Sequence, residues 1–106
     1  MITYDDFKKL ELRVARIIAA KEHPNADRLY VLTVDLGDRS KQIVAGIRLS
    51  YAIDELVGRE IVVVDNLEPA VLRGEVSQGM LLAASDEKGI SVLTPHREVA
   101  LGSIVK

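Results

Sequence analysis

The sequence predicts an all-β fold, a small, partly closed five-stranded barrel with a short N-terminal helix. Three observations carry that reading. Short segments rich in β-branched residues recur along the chain, each ended by Gly, Pro, Asn or Asp. The first three segments are joined by short turns, which favours a meander. One helix-like interruption separates the third strand from the fourth.

Taken in order, Thr3 and Asp6 stand ahead of Phe7 and Leu10 in a capping-box pattern. Residues 3–9 are therefore predicted to form a short helix that lids one end of the barrel. Residues 12–20 alternate roughly and are β-branched, so they form the first strand. His23-Pro24-Asn25-Ala26-Asp27 is a turn, because Pro fixes φ and Asn and Asp bond their own backbone. Residues 29–36 and 41–45 are the second and third strands, joined by a hairpin turn at Gly37-Asp38-Arg39-Ser40. Residues 50–56 make a small helix that plugs the barrel between the third and fourth strands. Residues 60–64 are the fourth strand. Residues 66–78 are a long polar loop containing Pro69 and Gly74, and long loops in small domains often carry function. Residues 80–84 and 90–93 flank a turn at Asp86-Glu87-Lys88-Gly89, and the tail ends on an apolar patch, Ile104-Val105. Short strands with one small helix after the third fit a Greek-key barrel of the oligonucleotide-binding type. A β-sandwich fits the same string of strands.

A length of 106 residues fits one domain, residues 1–106. With 48% hydrophobic residues the chain can bury a core, but without cysteine no disulfide or thiolate metal site supports it. A domain this small gains from burying a shared face in a homodimer, and the C-terminal β extension at Ile104-Val105 is the expected place. The N-terminus lacks the basic start and apolar stretch of a signal peptide. No apolar run is long enough to span a membrane. The default expectation is a cytoplasmic protein.

Catalytic patterns are missing from the sequence. There is no glycine-rich phosphate loop, no nucleophile elbow and no cysteine nucleophile. His23 and His96 lie far apart, and neither has a partner at zinc-ligand spacing. Asp5, Asp6, Asp27, Asp35 and Asp38 read as solvated caps of turns and strand ends. No catalytic residue, metal, cofactor or small-molecule substrate is expected.

The 14 Lys and Arg against 16 Asp and Glu leave a net charge of −2, which runs against the basic excess usual in nucleic-acid binders. The distribution is uneven. Residues 1–59 hold 10 basic and 9 acidic side chains; residues 60–106 hold 4 and 7. Available cations are Arg13, Arg16, Lys21, Arg28, Lys41, Arg48 and Arg73. With three Tyr, one Phe and no Trp, extensive base stacking is out of reach. Recognition of folded RNA by backbone shape suits this composition better.

Seven elements then occur in one order: Leu12-Arg13-Val14-Ala15, His23-Pro24-Asn25-Ala26-Asp27-Arg28-Leu29, Val34-Asp35-Leu36-Gly37, Gln42-Ile43-Val44-Ala45-Gly46-Ile47, Asn66-Leu67-Glu68-Pro69, Leu72-Arg73-Gly74 and Ser77-Gln78-Gly79-Met80-Leu81. This series resembles the transfer-RNA-binding domain at the C-terminus of many methionyl-tRNA synthetases, in a match that runs from Asp5 to Lys106. It is also similar to the stand-alone dimeric proteins that bind the transfer-RNA fold. The resemblance implies an oligonucleotide-binding barrel, a homodimer, and non-catalytic tRNA binding by shape. It places the RNA-contacting surface at Ser77, Gly79 and Met80, with the Ser77 hydroxyl on a phosphate or ribose and Met80 as a soft apolar contact. Asn25, Asp27, Arg28 and Arg73 match the turn and the long loop, and Gln42, Arg48 and Gln78 complete the expected set. One departure is that Ala70-Val71-Leu72 stands where family members often carry extra basic residues. This implies weaker binding with a flatter salt dependence, made useful beside the catalytic subunit of methionyl-tRNA synthetase, where tethering raises effective concentration. A second reading is an export-related chaperone or protein-interaction module on the same dimeric barrel.

Overall fold

A single long strand, β1 (Leu12–Glu22), organises the molecule in a computed structural model that covers residues 1–106. Its register slips between Ile17 and Ala19, which leaves Ile18 as an extra, exposed residue. Such a bulge bends and twists a strand. The bend lets β1 serve two partners. Its second half pairs with β2 (Tyr30–Asp35), which in turn pairs with β3 (Ser40–Ala45), both antiparallel. This is the expected meander. Its first half pairs with β4 (Glu60–Val64).

The chain continues through β5 (Ala70–Leu72), β6 (Glu75–Ser77), β7 (Met80–Leu81), β8 (Ala83–Asp86), β9 (Gly89–Val92) and β10 (Ile104–Val105). The main sheet runs β3-β2-β1-β4-β7, with β10 added to β1. It curls until β3 meets the segment before β7. There Gln78 N–H donates to the Gln42 carbonyl and Val44 N–H to Ser77 Oγ. The result is a nearly closed five-stranded antiparallel barrel, and the sandwich alternative falls away because one sheet closes on itself.

The interior is filled by side chains from every barrel strand, among them Ala15, Ile17, Leu32, Val34, Ile43, Ile61, Val63 and Leu81. The small helix α2 (Ile53–Leu56) drops Leu56, fully buried, into the end of this core, as the plug expectation requires. Truncating Leu56 to Ala would cost about 2–5 kcal/mol.

The N-terminal helix α1 (Tyr4–Phe7) is shorter than residues 3–9. Its capping box is present: Asp6 N–H donates to Thr3 Oγ1 and Thr3 N–H to Asp6 Oδ2. It does not lid the main core. Phe7 instead covers a separate cluster of Leu12, Val62 and Val64.

Two further differences have clear causes. The segment 66–78 is not simply a loop, because β5 and β6 pair into a hairpin within it. The predicted strand at 80–84 splits at Leu82. Its first part stays with β4, and β8 leaves to pair with β9. No helix is long and apolar enough to cross a membrane.

Candidate nucleic-acid interface

Two local structures approach each other on the outside of the barrel: the turn between β1 and β2, and the β5–β6 hairpin. The hairpin reverses over two residues, Arg73 (φ +54°) and Gly74 (φ +90°), between the paired Leu72 and Glu75. Two consecutive left-handed residues make a type I′ turn, whose twist matches the flanking strands. Glycine adopts this geometry freely, whereas an Arg there costs about 1 kcal/mol. That conformation holds Arg73 at the exposed tip of the hairpin.

The β1–β2 turn is braced from both sides. Arg48 Nη1 donates to the Ala26 carbonyl at 3.1 Å and Arg48 N–H to the Arg28 carbonyl at 3.3 Å. Its Nη2 meets Glu22 at 2.7 Å. His23, only 3% exposed, ties the turn to the hairpin: Nδ1 accepts from Asn25 N–H and Nε2 bonds the Leu72 carbonyl, each at 2.9 Å. Ala26, Asp27, Arg28, Leu29 and Arg73 then line one open depression of about 360 Å³. Arg28 and Arg73 belong to no ion pair there.

The other expected residues fall differently. Gln42 is half-buried, and its Nε2 donates to the Val76 carbonyl at 2.9 Å. Gln78 is exposed, but its Oε1 accepts from Gln42 N–H at 2.8 Å. Ser77 is buried, and its hydroxyl accepts from Val44 N–H at 2.9 Å and donates to the Gly79 carbonyl at 2.8 Å. The expected contact from that hydroxyl to RNA is therefore not available in this arrangement. Ser77 acts instead as a strut that fixes Gly79 and the strand after it. Gly79 has no room for a side chain, since a Cβ would lie 2.8 Å from the Val64 carbonyl oxygen. Met80, next in line, is half exposed on β7. Of the residues named from the sequence, Asp27, Arg28 and Arg73 share the depression. Met80 is exposed nearer the barrel wall, and Asn25 engages His23 through its backbone N–H. Arg48, Gln42, Ser77 and Gln78 hold the surface together.

Several cations elsewhere are committed to carboxylates. Asp65, at the end of β4, is 5% exposed and draws Arg13, Arg39 and Lys41. Burial alone would push its carboxyl up. The hydrogen bonds from Lys41 and Arg39, with their charges, outweigh that and hold it below the ordinary Asp range. Arg16 is shared by Glu60 and Glu98. Lys21 is exposed and in no ion pair, and it lines a second, smaller depression with Thr33 and Gln42.

Sequence reasoning missed two parts of this surface. His23 reads in the sequence as the start of a turn, because nothing local reveals a partner 49 positions away. The hairpin had a legible signal, since β-branched Val71 and Val76 flank a Gly-containing two-residue turn.

A family model described as "Putative tRNA binding domain" matches residues 12–104. The chain is similar to the methionine–tRNA ligases of Pyrococcus abyssi (54% identical over 105 residues) and Thermococcus kodakarensis (51% over 105 residues). Each match takes in 99% of this chain, but the chain spans only 14% of each ligase. Among solved structures it resembles a MetRS related protein from Pyrococcus horikoshii, with TM-score 0.93, 32% identity, and 100% and 98% of the two chains covered. It is equally similar to the CsaA chaperone protein from Picrophilus torridus, with TM-score 0.93, 31% identity and both chains covered completely.

Proposed function

The chain belongs to the tRNA-binding domain family, and from that premise we propose that it binds folded transfer RNA through phosphate contacts and catalyses no reaction on it. One observation carries the reading. Arg28 and Arg73, neither in an ion pair, come from separate elements into a single open depression. Two guanidinium groups so presented suit the paired oxygens of a phosphate. Met80 and Lys21 extend the contact along the barrel, Asn25 and Asp27 shape the turn, and Gln42, Arg48, Ser77 and Gln78 support it. Residues 1–106 act as one domain.

The partner is the catalytic subunit of methionyl-tRNA synthetase, in the cytoplasm. The likeness to methionine–tRNA ligases supports this. The chain would add a weak general contact that raises tRNA occupancy without touching the chemistry. Two copies would associate through an apolar groove of about 550 Å³ that includes Val14, Val62, Leu93, Ile104 and Val105.

The test is binding to folded tRNA across a salt series, against an unstructured RNA of equal length. Folded tRNA should bind more tightly. Arg28→Ala and Arg73→Ala should each flatten the log–log salt slope by about 0.7–0.9, the loss of one phosphate contact. Equal binding of the two RNAs, alone and with the synthetase, would sink the proposal.

A second reading follows from the CsaA likeness and from Val71 and Val76, paired and exposed on the hairpin: a chaperone that docks apolar client segments. Suppression of client aggregation without RNA binding would decide for it.

A further inference from the structure

We infer that His23 is a positioning residue for RNA binding: its imidazole fixes the Arg73 hairpin tip against the Arg28 turn. This rests on the reading that the Arg28–Arg73 depression takes RNA phosphate.

The imidazole is buried, and both ring nitrogens are used. Nδ1 accepts from the Asn25 N–H, so in the neutral ring the proton sits on Nε2. Nε2–H therefore donates to the Leu72 carbonyl. Leu72 directly precedes the Arg73-Gly74 turn. The other links between hairpin and barrel, Gln42 to Val76, a longer 3.4 Å bond from Gln42 to the Glu75 carboxylate, and Ser77 to Val44, all lie on β6, the strand that leaves the turn. His23 alone grips the strand that enters the turn, next to Arg73.

The β1–β2 turn has supports of its own. Arg48 bonds the Ala26 and Arg28 carbonyls, and His23 N–H donates to the Leu29 carbonyl. Losing the imidazole bond to Leu72 would leave that turn formed and loosen the hairpin tip on its β5 side, where only the long Gln42–Glu75 bond across the turn remains. Arg28 would stay in place while Arg73 lost its fixed distance from it. A phosphate held by both would then be held by one.

The experiment separates the two ends of the ring. His23→Asn keeps an acceptor near Nδ1 but falls short of Leu72. His23→Gln reaches Leu72 and gives up the Asn25 bond. We expect His23→Asn to weaken folded tRNA binding about five-fold and to flatten the salt slope by about 0.7–0.9. His23→Gln should stay within about two-fold of the starting protein. In an Arg73→Ala background, His23→Asn should add almost nothing, because both changes remove the same contact.

A side chain that serves stability alone predicts otherwise. It lowers the unfolding midpoint, leaves the slope of the folded protein unchanged, and adds to Arg73→Ala. Either an unchanged slope in His23→Asn or full additivity overturns the inference while leaving the RNA reading intact. If the unsubstituted chain binds no folded tRNA, both fall. Should His23→Asn not fold, His23→Gln carries the test: a folded Gln variant that has lost the slope overturns the inference.

Discussion

Ser77 separates two meanings of a residue matched to a family motif: touching a ligand, and holding the residue that does. Its hydroxyl gives one bond to the Gly79 carbonyl and takes one from Val44 N–H, so no donor is left to offer. Ser77→Ala would strand a buried N–H and a carbonyl. The expected cost is about 1–3 kcal/mol of unfolding free energy, read from urea denaturation. The salt slope of tRNA binding, measured on the folded variant, should not change. A changed slope at full stability would return Ser77 to the RNA surface. The charged side chains behave in the opposite way. Arg28 and Arg73 belong to no ion pair, whereas Arg48, equally basic in the sequence, has its guanidinium spent on Glu22 and the Ala26 carbonyl. Residue type and motif order were legible in the sequence. Which cations remain free depends on partners such as Asp65 and Glu60, brought close only by the fold.

At the scale of elements, the sequence exposed what is local and hid what depends on distant pairing. The meander of β1 to β3, the strand β4 and the plug α2 follow from patterning, Pro-Asn-Asp turns and Gly positions. The split of the 80–84 strand at Leu82 does not. Leu82 N–H still bonds Val62, and Leu82 then accepts from Leu93 N–H, a choice between two sheets that no local pattern records. The end of β4 shows the same dependence on long-range partners, with a consequence for pH. Asp65 gathers Arg13, Arg39 and Lys41 from β1, the β2–β3 turn and β3, so it pins three elements at one point. Its carboxyl is held below the ordinary value of 3.8. A carboxyl depressed in the folded state stabilises fully above its unfolded value and loses that contribution as pH falls through the folded one. Stability should therefore drop below about pH 4. Asp65→Asn should be less stable than the unsubstituted chain near pH 6, and the gap should narrow toward pH 2. Urea midpoints over that range measure it, and a gap that stays constant would show that ionisation of Asp65 contributes nothing.

For the molecule as a whole, the problem is how a chain of net charge −2 would bind a polyanion, as proposed. Cations already paired with carboxylates contribute little attraction at a distance, and few remain beside the depression. A single copy should accordingly bind weakly, with a shallow salt slope set by its few phosphate contacts. Two arrangements offset this: a second copy, or attachment to a synthetase that already holds the same tRNA. Both work by effective concentration and need no new contact. The copy-to-copy route makes a sharp prediction at Ile104. In one chain Ile104 is largely exposed on β10, so Ile104→Asp should change monomer stability by no more than about 0.5 kcal/mol. In a dimer formed through the Leu93–Ile104–Val105 groove the same change buries an unpaired carboxylate, which is costly enough to prevent association. Sedimentation at micromolar concentration should find a dimer before the substitution and a monomer after it. If one tRNA spans both copies, affinity should fall by about ten-fold or more and the salt slope by about half. A chain that sediments as a monomer without the substitution removes this route. The synthetase would then be the source of avidity, and adding the chain to the catalytic subunit should lower KM for tRNA with kcat unchanged, the mark of uniform binding.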